Sequence, residues 1–266
     1  MLIFGDLIDE GDATRSTNAL VVLTRIINAS FSLGYVTPWM KKGIIQMIPK
    51  VRDDGSVADM RPITLLSETG KIPSRILAAR LNEIFAKNPT ILDPAQRAFL
   101  CNGNTAQCVN VVLDVFEDFK TTKKSRHGEL VAVAYDQQQA YDSVQCFSIE
   151  ASLRRFNMPE IFIQYVLSAL NGAESSVITQ DGMTDCFPIQ TSVRQGDPLA
   201  PLIFIMVVDA LHEGLRNNPL FPNDHEGYIF QGEASEPDLR VVSSGYADDT
   251  IAFAVSGLES CATMSG

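Results

Sequence analysis

The chain's 266 residues are 45% hydrophobic and 20% charged, enough apolar material for a real core in one large domain or two subdomains. No stretch approaches the roughly 18 apolar residues of a membrane helix, and the first ten residues carry Asp6, Asp9 and Glu10 without a basic flank, which excludes a secretory signal; an intracellular protein with no membrane partner is expected. The net charge of −11 speaks against a uniformly basic, phosphate-binding surface, and five scattered cysteines with three histidines match neither zinc spacing nor a disulfide framework.

Ala19 to Phe31 reads as a helix. Ile44, Ile45, Met47 and Ile48 form a short strand that stops at Pro49-Lys50. A polar turn from Arg52 to Ser56 leads to Arg61-Pro62-Ile63, which suits a hairpin with a basic tip. From Trp39 to Arg97 ten Lys/Arg stand against six Asp/Glu, a net charge of +4 in an otherwise acidic chain; such a mild excess equally suits a solvated helix face. Pro73 is expected to open a helix carrying Ile76, Leu77, Leu81, Ile84 and Phe85. Asn104-Thr105 starts another, with Val109, Val112, Leu113 and Phe116 on its apolar face.

Leu130 to Tyr135 reads as a buried strand that stops abruptly at Asp136. Helices are expected over Ile149 to Phe156 and Glu160 to Leu170, then a hairpin at Asp181-Gly182. Asp197-Pro198 caps and opens a helix through Leu202, Ile203, Met206, Val207 and Ala210. Val241-Val242 and Thr250 to Val255 flank Tyr246-Ala247-Asp248-Asp249 as strand, turn and strand. Strands and helices mix without strict alternation, so the expected class is α+β, an antiparallel sheet packed on helices.

Asp136 and the pair Asp248-Asp249 each interrupt an apolar strand. Taken singly, such residues usually cap or solvate a turn. If their strands are neighbours, three carboxylates converge, and each raises the others' pKa unless a cation neutralises them. An all-oxygen set of that kind selects hard ions such as Mg²⁺, and two ions about 4 Å apart can clamp the attacking and leaving oxygens of a phosphoryl transfer. No Ser-His-Asp or Cys-His arrangement competes for the role.

Tyr246-Ala247-Asp248-Asp249 resembles the YxDD signature of reverse transcriptases. The stretch from Asp136 to Val144 is similar to the first palm motif, D-x-x-K-A-F-D-x-V, of non-LTR (LINE-type) retrotransposon polymerases. Arg194-Gln195-Gly196-Asp197-Pro198-Leu199 resembles their RQGDPL block. Ile48-Pro49-Lys50, Arg61-Pro62-Ile63-Thr64-Leu65-Leu66 and Gln96-Arg97-Ala98-Phe99 follow the family's fingers blocks in order. The likeness covers roughly residues 39 to 255 and rests on six ordered blocks.

The resemblance implies an RNA-directed DNA polymerase that adds dNTPs to a DNA primer on an RNA template. It implies the fingers and palm of a right-hand polymerase: fingers over 1–125, with 1–38 a helical lead-in, palm over 126–256, and 257–266 a tail. With only 17 residues after Asp249, the thumb is expected to be missing. Asp136, Asp248 and Asp249 would hold two Mg²⁺ ions, with Mn²⁺ as a substitute and the Gln137 carbonyl as a further ligand. Lys50 and Arg61 would grip the incoming triphosphate. Tyr141 would be the steric gate against a 2′-OH, and Gln195-Gly196 the loop under the nascent base pair. Gln139 stands where the family carries Lys, which removes a charge near the site. A nuclear site of action is implied by the family alone, and the oligomeric state is open. Two alternatives stand beside this reading: a catalytically incompetent remnant, and a derivative that binds RNA without catalysis.

Overall fold

A computed structural model describes residues 18–49, 60–122, 129–217, 227–232 and 237–255. In chain order the elements are α1 (Asn18–Leu33), α2 (Pro38–Lys41), β1 (Gly43–Pro49), β2 (Met60–Leu66), α3 (Glu68–Lys87), α4 (Thr105–Thr122), β3 (Leu130–Tyr135), α5 (Ala140–Ser143) and α6 (Cys146–Arg155). There follow α7 (Glu160–Leu170), β4 (Glu174–Thr179), β5 (Gly182–Met183), β6 (Phe187–Pro188), α8 (Ala200–Arg216), β7 (Tyr228–Phe230), β8 (Leu239–Val241), β9 (Ser243–Tyr246) and β10 (Asp249–Val255). The class is α+β, as the mixed patterning requires.

The chain divides into two compact units, each built from two separated segments: Met1–Ile84 with Gln139–Phe204, and Phe85–Gln138 with Ile205–Gly266. In the first unit β1 and β2 form an antiparallel hairpin whose register runs from Gly43↔Leu66 to Pro49↔Met60. β4 joins the free side of β1 in parallel, and β5 and β6 both pair with β4. Helices supply the apolar cover. Phe162, Ile163, Tyr165 and Val166 of α7 are buried, and the Tyr165 ring meets Phe31 of α1 edge-on at 5.3 Å.

The second unit holds a purely antiparallel sheet in the order β3-β10-β9. Its central strand is the most deeply buried, with Ala252, Phe253 and Ala254 almost wholly inaccessible. Phe253 joins Val115 of α4 and Tyr228 of β7 in a cluster flanked by Val112, Phe119, Leu130 and Phe230. The Tyr228 hydroxyl donates to the Asp118 carboxylate, so the one polar tip in that cluster is satisfied.

Several expectations are corrected. The third helix starts at Glu68, five residues before Pro73, because Ser67 accepts the Gly70 amide on its side chain (3.2 Å) and on its carbonyl (3.0 Å), an N-terminal cap that nucleates the helix upstream. The buried face of α4 is Val112, Val115 and Phe119, while Val109 and Leu113 are 54% and 58% exposed. Apolar residues occupy both sides of that helix, so periodicity did not single out the buried face. Its cap is as expected: Asn104 and Gln107 exchange side-chain and backbone hydrogen bonds at 3.0 and 3.2 Å. β3 is only half-buried, as befits an edge strand. Val241 pairs with Tyr228 in β8 rather than with β10. The helix after Asp197-Pro198 begins at Ala200, two residues late, with Asp197 Oδ1 accepting the Leu199 amide at 2.9 Å.

Candidate active site

The register of the three-stranded sheet decides where the acidic residues emerge. Thr250 of β10 is paired with Tyr135 of β3, so one further step sets Asp249 across from Asp136 at the same sheet end. On its other side Asp249 is paired with Tyr246, which leaves Ala247-Asp248 as a two-residue hairpin tip. Asp136 and Asp249 are exposed and Asp248 is half-buried. Partial burial, then the charges of Asp248 and Asp136, push the Asp249 carboxyl above its ordinary value. Among the described residues none of the three is in a salt bridge, so their mutual repulsion is uncompensated. Nor do three acidic, His or Cys side chains among those residues already enclose a cation-sized space. The donor set is carboxylate oxygen only, and a hard divalent cation fits its charge. Gln137 follows Asp136 on the same exposed end of the chain segment.

The hairpin tip is strained and is held from outside. Ala247 has φ 58, a left-handed conformation costing an L-residue about 1–2 kcal/mol. The Gln96 side chain, 2% exposed, brackets this residue on both sides of its Cα: the Ala247 amide donates to Oε1 at 3.0 Å and the Ala247 carbonyl accepts from Nε2 at 3.1 Å. Oε1 also accepts the Ala98 amide at 3.0 Å. The backbone around Gln96 runs as a short parallel partner of β9, with the Gly245 amide donating to Ala95 and the Arg97 amide donating to Gly245.

That segment is anchored in turn to the second unit's part of α8. The Asp93 amide donates to the Asp209 carboxylate at 2.6 Å, and Arg216 donates to both Asp93 oxygens at 2.7 and 2.8 Å. Burial alone would raise the Asp93 carboxyl, but the bonds from Arg216 and Ala95 and the Arg216 charge outweigh it and hold the group below the ordinary value. His212, fully buried beneath Gly245, shares a 3.0 Å hydrogen bond with Ser243. Burial depresses its pKa, against the opposing pull of Asp93 and Asp209. A methyl group on Gly245 would lie 2.7 Å from the His212 ring, so only glycine permits this approach.

The residues expected to meet a nucleotide lie in the first unit. Lys50 is outside the described residues. Arg61 is exposed on β2, opposite Ile48. The Tyr141 ring stacks on Phe204 at 4.5 Å, 13° from parallel, and is half-buried. Asp142 accepts bonds from Ser192 (3.0 Å) and Thr191 (2.7 Å), in keeping with a structural place. Gln195 and Gly196 are brought together against β2: the Thr64 amide donates to the Gln195 carbonyl at 2.7 Å. Gly196 has φ +113, and a Cβ there would stand 2.2 Å from the Thr64 carbonyl oxygen. On either side, Arg194 is 4% exposed with its pKa lowered by burial, and Asp197 accepts from Ser74 at 3.3 Å with its pKa raised by burial.

Sequence reasoning quoted Gln96 as part of a block and assigned it no task. The signal lay in its type: a buried amide has two donors and an acceptor to satisfy, and an adjacent turn is a natural partner.

Residues 48–264 match the family model described as reverse transcriptase (RNA-dependent DNA polymerase). The chain is 29% identical over 191 residues to the Pol polyprotein of the R2DM retrotransposable element of Drosophila melanogaster, covering 71% of this chain and 17% of that protein. It is 26% identical over 235 residues to the RNA-directed DNA polymerase of the Drosophila melanogaster mobile element jockey, covering 87% and 23%. Against a 149 kDa protein of the TX1 transposon of Xenopus laevis, identity is 25%, with 85% and 16% covered. The chain thus spans about a sixth to a quarter of the length of these relatives. Among solved structures, telomerase from Candida tropicalis, in complex with a fragment of telomeric RNA, superposes with a TM-score of 0.56 at 13% identity, covering 92% of this chain and 41% of that one. The apo enzyme truncated from its C-terminal domain also gives 0.56, at 15% identity, covering 97% and 54%. At such identities the likeness is one of fold.

Proposed function

Because the chain belongs to the reverse transcriptase (RNA-dependent DNA polymerase) family, in its non-LTR retrotransposon branch, we propose that it carries the polymerising centre of a retroelement RNA-directed DNA polymerase. In this reading residues 1–125 serve as the fingers, with 1–38 a helical lead-in, and residues 126–256 as the palm. Asp136, Asp248 and Asp249, with the Gln137 carbonyl, hold two Mg²⁺ ions, for which Mn²⁺ can substitute. When bound, the ions supply positive charge that offsets the negative charge developing in phosphoryl transfer.

The remaining work falls to this chain's own groups. The carboxylates fix the position of that charge at a sheet end, and the β-sheet register keeps them there. Lys50 and Arg61 bind the triphosphate of the incoming dNTP, Arg61 from an exposed position on a paired strand. Tyr141, its ring backed by Phe204, limits the room beside the sugar 2′-carbon. Gln195-Gly196 offers backbone to the nascent base pair. The 3′-hydroxyl of the primer attacks the α-phosphorus and pyrophosphate leaves. RNA template and DNA primer are the macromolecular partners, and a nuclear site of action goes with them.

One observation carries the reading: the sheet register sets Asp249 across from Asp136 and next to Asp248, and none of the three has a salt-bridge partner among the described residues. Structural acids are ordinarily paired; acids kept together unpaired suit a cation. Extension of oligo(dT) on poly(rA), with Mg²⁺ or Mn²⁺, tests it. Activity is expected to vanish in the Asp248→Asn, Asp249→Asn double variant, and extension that persists would remove the assignment. If even the wild-type chain does not extend primers, a steep loss of RNA binding with rising salt would favour the non-catalytic RNA-binding alternative.

A further inference from the structure

We infer that Gln96 is the positioning residue of the carboxylate hairpin, clamping Ala247 in its left-handed conformation through the two peptides that flank it and so setting the direction in which Asp248 and Asp249 leave the turn. The inference deepens the proposed function and rests on those carboxylates holding divalent cations.

The Gln96 side chain is wholly committed to this turn. Its oxygen takes the amides of Ala247 and Ala98, and its nitrogen gives to the Ala247 carbonyl. With the amide on one side of the Ala247 Cα and the carbonyl on the other held by one planar group, φ and ψ of Ala247 cannot change without breaking a buried bond. The conformation needs such a hold. Ala247 is not glycine, and the tip presents like charges that repel one another. A free alanine at this position would relax toward negative φ, turning the following peptide and swinging Asp248 away from Asp249.

The clamp itself is not adjustable. Gln96 sits in a segment tied to β9 by two backbone bonds, and to α8 through Asp93, Asp209 and Arg216. A rigid support of this kind lets a binding constellation keep its geometry before its ion arrives.

Gln96→Met, similar in size but unable to form the three hydrogen bonds, is the decisive variant. In the metal-free chain the Ala247 amide is expected to exchange with solvent about tenfold faster, with global protection retained elsewhere in β10. Mn²⁺ titration followed by electron paramagnetic resonance should show about tenfold weaker binding in the folded variant. Adding Ala247→Gly should recover part of that loss, since glycine adopts the conformation unaided. A folded Gln96→Met chain with unchanged exchange and Mn²⁺ affinity would overturn the inference, and so would failure of Ala247→Gly to recover any affinity. Should Gln96→Met not fold, Gln96→Glu keeps the acceptor but replaces the donor with a second oxygen that faces the Ala247 carbonyl and brings a buried negative charge. Mn²⁺ affinity must then fall and recover with Ala247→Gly, or the clamp is not what orients the carboxylates. The amide exchange needs no ion, so it reports on the clamp even if the wild-type chain binds no Mn²⁺, an outcome that would instead sink the proposed function.

Discussion

The carboxylate hairpin of the second unit and the Arg194–Asp197 loop of the first solve opposite problems. The hairpin must expose charge, so its acidic side chains are solvated and unpaired, and precision comes from bonds to the backbone behind them. The loop must bring backbone close to backbone, so its precision comes from shape. Gly196 lies where any side chain would strike Thr64, the flanking Arg194 is buried and Asp197 is half-buried.

The largest expected effect breaks the loop. Gly196→Val places a branched side chain at a left-handed position and within 2.2 Å of a carbonyl, and should destabilise the chain by about 3 kcal/mol in urea unfolding. A loss below about 1 kcal/mol would mean that the loop yields and that shape does not govern it. Gly245→Ala tests the hairpin's support in the same way. With its Cβ 2.7 Å from the His212 ring, a loss of about 2 kcal/mol is expected, accompanied by weaker Mn²⁺ binding.

Proton titration sharpens the contrast. The His212 pKa is depressed in the fold, so the unfolded chain takes up a proton more readily. Its neutral form therefore contributes stability that is present above the unfolded value near 6.5 and is lost as pH falls toward the folded one. Denaturation midpoints should decline below that pH, and His212→Gln should flatten the decline. Asp249 works in the other direction. Its folded pKa is raised, so its charge opposes folding at neutral pH and the penalty fades as pH falls through the folded value. Asp249→Asn should raise the thermal midpoint of the metal-free chain slightly while removing the rise that Mg²⁺ gives the wild type. The smallest effect is that of Ala247→Gly in the otherwise unchanged chain, within about 1 kcal/mol of wild type, because relief of backbone strain is set against greater freedom of the unfolded chain.

Most of the fold and the acidic triad were legible because they depend on local pattern. Asp136 ends an apolar run, Asp248 lies in a turn with Asp249 opening the strand after it, and the helices of the first unit follow a clear period. What escaped depends on partners remote in the chain. The buried face of α4 is chosen by Phe253 and Tyr228, which no window around Val115 contains. The start of α3 is set by a serine cap that competed with the more conspicuous Pro73. Gln96 looked like one member of a fingers block, since nothing local in Gln-Arg-Ala-Phe reveals which carbonyl will lie above its amide.

Gln96 and Ala247 are separated by 151 positions. The turn bearing two of the three carboxylates therefore cannot take its final form while the polypeptide is still emerging or only locally folded. Closing so long a loop is an entropic cost that must be met by the surrounding sheet and helix first. Cation affinity should in consequence appear as one of the last events in refolding, rising after helical signal has recovered, and a nascent chain halted before its final strand should be blind to Mg²⁺.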